Sequence, residues 1–198
     1  MASHIGKVAI VELPDWIESV GQHESLVTRL QNILKDYHAD GGIFKELIQN
    51  ASDAGASSIH FIWDWRHFPS KKVLTKLLSA LQGPCLWAFN DSVFSEADFT
   101  NILRLGVGGK RQGGKIGRHG VGFNAVYHLT DMPSVLSKGK LVLLNPLLRY
   151  TEERGSTAAK PGLALKLSSP ALDSLSDQTA PYKSILGMLG LSSDADLT

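Results

Sequence analysis

The chain of 198 residues holds one cysteine, Cys85. No disulfide can form within it, and no cysteine-based zinc site can be built. A lone free thiol suits a reducing compartment, and Cys85 is expected as a small buried apolar residue. Long apolar runs are also missing, since none approaches the ~20 residues of a membrane-spanning helix. Val8 to Val11 is short and is followed at once by Glu12, so it lacks the core of a secretion signal. These absences predict a cytoplasmic chain with no membrane partner. Net charge is almost absent, +1 from 20 basic and 19 acidic residues, which argues against nucleic acid as a partner. His60 with His67, and His119 with His128, have neither H-x-x-x-H nor H-E-x-x-H spacing, so a metal-hydrolase reading finds no support.

What is present is a globular composition. With 43% hydrophobic residues the chain can bury a core, so disorder throughout is excluded. At roughly 150 residues per domain the length predicts one domain. Apolar residues recur at helical spacing from His23 to Tyr37, and a second helix is expected over Ile43–Ala54, stopping at Gly55. Ser58–Asp64 alternates as a strand does, and Lys71–Leu81 reads as an amphipathic helix. Cys85–Asn90 reads as a buried strand. Ser95 to Asp98 resembles a capping box that starts a helix through Leu105. A further helix is expected over Val121–Leu129, and strands over Leu141–Leu144 and Leu163–Leu167. Residues 145–160 read as a loop, and the last thirty carry no clear pattern. Residues 1–20 read as an N-terminal extension or an edge strand. Helices interleaved with short strands predict a helix layer on one sheet.

The second helix carries the first chemical signal. At about 100° per residue, Glu46, Asn50 and Asp53 share one stripe roughly 60° wide. Phe44, Leu47, Ile48 and Ala51 lie on the other side. A solvated helix face is the plain reading, but such a face would mix in lysine or arginine. In a site, Glu46 would take a proton from water. The Asn50 oxygen suits Mg²⁺, a hard cation, and Asp53 would orient a ligand or a water.

The second signal is a glycine-rich basic loop. Arg104, Lys110, Arg111, Lys115 and Arg118 fall in a window that has six glycines and no acidic residue. The window runs through Gly117-Arg118-His119-Gly120-Val121-Gly122-Phe123 into a predicted helix. Glycines let backbone approach a ligand, and a helix N-terminus offers free N–H groups to an anion. A surface loop is the alternative for this window standing alone. Two familiar phosphate motifs do not apply. Gly109 to Lys115 fits G-x-x-x-x-G-K, but Ile116 replaces the metal-binding Ser or Thr. Gly120 to Ala125 fits G-x-G-x-x-A, but no strand precedes it.

Order and separation join the two signals. Phe44-Lys45-Glu46-Leu47-Ile48-Gln49-Asn50-Ala51-Ser52-Asp53-Ala54 resembles the N-box of the GHKL superfamily, which includes gyrase, the ninety-kilodalton heat-shock chaperone, histidine kinases and MutL. Gly117-x-x-Gly120-x-Gly122-Phe123 resembles its second glycine box. Within the superfamily the chain is most similar to sacsin repeats. That likeness is carried by Gly21-Gln22-His23-Glu24, Gln49 to Ala56, Asn90 to Phe94, Gly117 to His128, Thr130 to Ser134 and Leu175 to Pro181.

The resemblance implies an α/β (α+β) two-layer sandwich, the Bergerat ATP-binding fold. Its helices would lie on one face of a mixed, mostly antiparallel sheet, over residues 21–198. It implies ATP and Mg²⁺ as cofactors. Glu46 would be the general base and Asn50 the Mg²⁺ ligand. Nucleotide would also meet Asp53, Asn90, Asp91, Lys115, Gly117, Arg118, Gly120, Val121, Gly122 and Phe123, with residues 106–118 as the lid. Partners would be protein clients or other domains of a longer chain. In the first glycine box, D-x-G-x-G in the family, Asn90-Asp91-Ser92-Val93-Phe94 stand instead, so Val93 and Phe94 would crowd the base. The family's Gly-Thr strand is also expected after Pro181, which implies a domain truncated before its last strand. The enzymatic expectation is a slow ATPase. A pseudo-ATPase serving as an interaction module is the rival, and a histidine-type kinase is a third reading.

Overall fold

The computed structural model describes Gly21 and residues 24–36, 41–103 and 122–191. The extension 1–20 and the glycine-rich loop, with Lys115, Gly117, Arg118, Gly120 and Val121, lie outside the described residues.

Helices α1 (Leu26–Asp36) and α2 (Gly42–Asp53) follow the periodicity of the sequence within a few residues. Gly55, at φ +78°, ends α2. The N–H of Ala56 reaches back to the Ala51 carbonyl at 2.9 Å, and that of Gly55 to Ser52 at 3.0 Å. This paired closure needs a left-handed residue, which glycine supplies without a Cβ clash. The chain then enters β1 (Ile59–Asp64), which pairs antiparallel with β2 (Cys85–Asn90) from Ile59↔Asn90 to Asp64↔Cys85. Helix α3 (Glu96–Ile102) starts at the expected capping box: Asp98 N–H donates to Ser95 Oγ, and Ser95 N–H to Asp98 Oδ2.

A second sheet holds β3 (Ser134–Ser137), β4 (Lys140–Leu143) and β5 (Leu163–Lys166), all antiparallel, with β4 central. Leu141 and Leu143 face a cluster with Leu78, Met132 and Tyr182. Val142 and Leu144 face another with Phe99, which Phe94, Phe123 and Tyr127 join. Both faces of β4 are therefore covered, which is why its sequence is a continuous apolar run rather than an alternation. The class is α+β, as expected, but the described strands form two small sheets rather than one. Trp87 on β2 meets Tyr182 edge-on at 5.4 Å, so one core serves both sheets.

Tyr182 sits on α4 (Ser176–Met188), the long helix of the region where the sequence shows no pattern. Its first turn corrects another expectation. Residues 71–75 are irregular, and only Lys76–Leu81 winds, as a 3-10 helix. The N–H groups of Lys71 and Lys72 both donate to Asp177 Oδ2 at 2.8 Å, and that of Leu74 to Gln178 Oε1 at 3.4 Å. The Lys72 carbonyl accepts the Gln178 N–H at 3.2 Å and the Leu74 carbonyl accepts Arg154 Nε at 2.8 Å, so the acceptors that the first turns of a local helix would use are taken by other elements. Residues 122–128 are also a 3-10 helix rather than α. Among the described residues no helix is long and apolar enough to cross a membrane.

Candidate functional site

Helix α2 lies over β1, where the Phe44 and Phe61 rings meet edge-on at 5.0 Å. Its other neighbour is the 3-10 helix Gly122–His128. There the two sequence signals meet. Gly122 is buried, and a Cβ built on it would overlap Glu46 Oε2 and stand 2.9 Å from Glu46 Cδ. The Glu46 carboxylate therefore occupies the space that any larger residue at position 122 would fill. Asn50 and Asp53, one and two turns further on, are exposed, and Glu46 is half-buried.

The far end of α2 is tied to the turn after β2. Ser92 Oγ donates to the Ala54 carbonyl at 2.7 Å. Asp91 reaches the α2–β1 connection: its Oδ1 accepts the N–H groups of Ser57 at 2.8 Å and Ser58 at 3.1 Å, and its Oδ2 accepts the Ser57 hydroxyl. These donors, the Ser57 side chain foremost, lower the Asp91 pKa to about 2, because hydrogen bonds to the charged form favour it. Asn90 Oδ1 accepts the Ser92 N–H at 3.0 Å.

Asn90, Asp91, Val93, Phe94 and Phe123 line one groove of about 340 Å³ between β2, β3 and the end of α4, a size in the range of small-molecule sites. Phe94 does not fill it. Its ring packs on Phe99 at 5.2 Å, and its N–H donates to Ser137 Oγ at 3.0 Å. Val93 is half-exposed. A larger cavity, about 550 Å³, lies beside it; Trp87, Phe123, Ser134 and Tyr182 line both, and Leu47 of α2 lines the larger one. Glu46, Asn50 and Asp53 line neither, whereas Asn90 and Asp91 line the smaller one only.

Cys85 is half-buried, and burial followed by nearby Asp64 pushes its thiol up to about 11. It is a neutral packing residue and not a nucleophile. Among the described residues no three of His, Cys, Asp or Glu gather into a metal-holding group.

Sequence reasoning did not single out the structural partners of these residues. Ser57 and Ser58 follow a helix-ending glycine, where short hydroxyl residues favour local hydrogen bonds, but nothing in the sequence says that Asp91 would be their acceptor. The mutual packing of Glu46 and Gly122 had a signal only in the family order of the two boxes.

Glu46 of α2 set against a glycine-led 3-10 helix, over antiparallel strands, belongs to an α+β domain. The Sacsin domain family model matches residues 23–196, and the chain belongs to that family. Sacsin of Homo sapiens is 37% identical over 175 residues, covering 86% of this chain and 4% of sacsin's own length.

Proposed function

We propose that this chain is an ATP-binding, chaperone-like domain of the Bergerat type, with Mg-ATP held between the Glu46/Asn50/Asp53 face of α2 and the glycine-rich segment ending at Gly122. One observation carries the reading: the Glu46 carboxylate lies directly against Gly122, so the acidic helix and the glycine box share one wall. Asp91 and Asn90 open on the adjoining groove with Phe123, where a base would lie. Phosphates would run from there toward the N–H groups at the start of the 3-10 helix. Glu46 would hold the proton taken from an attacking water.

The donor set fits Mg²⁺. Asn50 is an exposed amide on an oxygen-bearing stripe without sulfur or imidazole. With no closed cage of side chains, the ion would keep water and phosphate oxygens. When bound, it would neutralise phosphate charge. Further partners would be protein clients or neighbouring domains, since the chain spans 4% of its human relative.

Calorimetric titration with Mg-ATP, on this chain and on a longer piece of its parent polypeptide, tests the reading. Absence of heat in both would sink it and leave the pseudo-ATPase reading. With binding present, Glu46→Ala should lower turnover about 10²–10⁴-fold while affinity stays, as loss of a general base does. Asn50→Ala should instead lose the Mg²⁺-dependent part of the affinity.

A further inference from the structure

We infer that Ser57 is a positioning residue for ligand recognition, which clamps Asp91 so that one acceptor direction of its carboxylate is left for a ligand N–H. The inference rests on reading Asp91 as a nucleotide contact, and it concerns a residue outside both sequence motifs' polar positions.

The argument is a count of acceptor sites. An ionised carboxylate offers about four lone-pair directions, two per oxygen. Oδ1 of Asp91 spends both on the N–H groups of Ser57 and Ser58. Oδ2 spends one on the Ser57 hydroxyl. These three bonds leave one direction on Oδ2 unused. A carboxylate so held cannot form the two parallel bonds that a guanidinium or a guanine edge would offer, but it can accept from one amino N–H. Asp91 is exposed and belongs to the lining of the 340 Å³ groove, so a ligand in the groove can reach the residue. The Ser57 hydroxyl fixes the very oxygen that is left, which sets the angle of the free lone pair.

The fixing group sits at a junction. Ser57 follows the end of α2, and Ser92, next to Asp91, is bonded to the Ala54 carbonyl of that same end. The carboxylate is thereby held in a constant relation to the helix that carries Glu46, Asn50 and Asp53. Ser57 is exposed and Ser58 half-buried, so a change at Ser57 touches the clamp more than the core.

Two variants of one shape separate the hydroxyl from the side-chain bulk: Ser57→Thr keeps it and Ser57→Val removes it. On the whole chain, the Asp91 carboxyl carbon is titrated by NMR without ligand, and Mg-ATP and Mg-GTP affinities are measured by calorimetry. The expected result is a higher Asp91 midpoint in Ser57→Val, with ATP affinity weaker by about 5–20-fold and turnover of bound ATP unchanged. Ser57→Thr should restore both, and ATP should bind in preference to GTP wherever the clamp is intact. An Asp91 midpoint that does not move in Ser57→Val, with ATP still bound, overturns this inference and leaves the nucleotide reading standing. A midpoint that moves while ATP affinity stays at the parent value overturns it as well. If the parent chain binds neither nucleotide although the midpoint moves, the nucleotide reading fails and takes the recognition role of Ser57 with it.

Discussion

Gly122 decides where the Glu46 carboxylate can stand. It is the first residue of a 3-10 helix, a conformation that alanine adopts. The Cβ would, however, enter the space of Glu46 Oε2, which belongs to the free end of a flexible side chain. That end can swing away at small cost in stability. Under the proposed ATPase function, the expected outcome of Gly122→Ala is a melting temperature close to the parent's and an ATPase rate lower by about 10²-fold, the penalty of a misplaced catalytic group. Rate and melting temperature falling together would mean that the glycine serves folding alone. Asp91 shows the opposite case. Its identity was legible as a candidate, but its partners were not, because Ser57 and Ser58 reach it only through the pairing of β1 with β2.

Among the elements, periodicity served where neighbours leave the backbone to itself. α1, α2, β1 and β2 appear within a few residues of their expected ends. Strand β3 had no such signal. It is four residues long, follows Pro133, and turns into β4 through Lys138 and Gly139, at φ 49° and 64°. Two left-handed central residues make the tight hairpin usually written Asn-Gly, and lysine in the first place conceals it. The glycine box was legible as a motif, though its helix is 3-10. Segment 71–75 failed for a different reason: the carbonyls of Lys72 and Leu74 accept from Gln178 N–H and Arg154 Nε, and the Lys71 and Lys72 amides donate to Asp177, so tertiary hydrogen bonds outweigh local pattern. Asp177→Ala should therefore free the Lys71 and Lys72 amides. Hydrogen exchange should quicken at those two positions first, and urea stability should fall by about 1–2 kcal/mol, the scale of a lost cap. Unchanged exchange at both amides would show that the segment is held by its apolar contacts instead.

At the scale of the whole molecule, the two sheets are joined by apolar packing, and among the described residues a charged link ties the end of β1 to α4. Asp64, at the end of β1, is buried and accepts from Arg66 Nε at 2.8 Å, Arg66 Nη2 at 2.7 Å and Trp87 Nε1 at 3.3 Å. Arg66 Nη1 donates to Ser184 on α4 at 2.8 Å, which carries the link across to the helix that covers β3–β5. The Arg66 hydrogen bonds outweigh desolvation and lower the Asp64 pKa from 3.8 to about 2. A carboxylate with a depressed folded-state pKa contributes stability above its unfolded pKa and loses it as pH falls toward the folded value. The contribution of Asp64 should therefore be complete at neutral pH, begin to fail near pH 4 and be gone at about pH 2. Asp91, lowered to about 2, adds to the same window. Arg66 is partly exposed, so solvent screens the pair. Removing the Asp64 charge should cost about 1–2 kcal/mol at neutral pH, mostly from donors left without an acceptor. Urea titrations from pH 7 to pH 2.5 test this. The parent should hold its midpoint down to about pH 4 and then decline. Asp64→Asn should start lower and decline less steeply, by up to about one proton, whereas Asp64→Asn with Asp91→Asn should flatten the window further. A single variant that declines in parallel with the parent would mean that Asp64 keeps the same affinity for its proton folded and unfolded, and that the link between the sheets is apolar only.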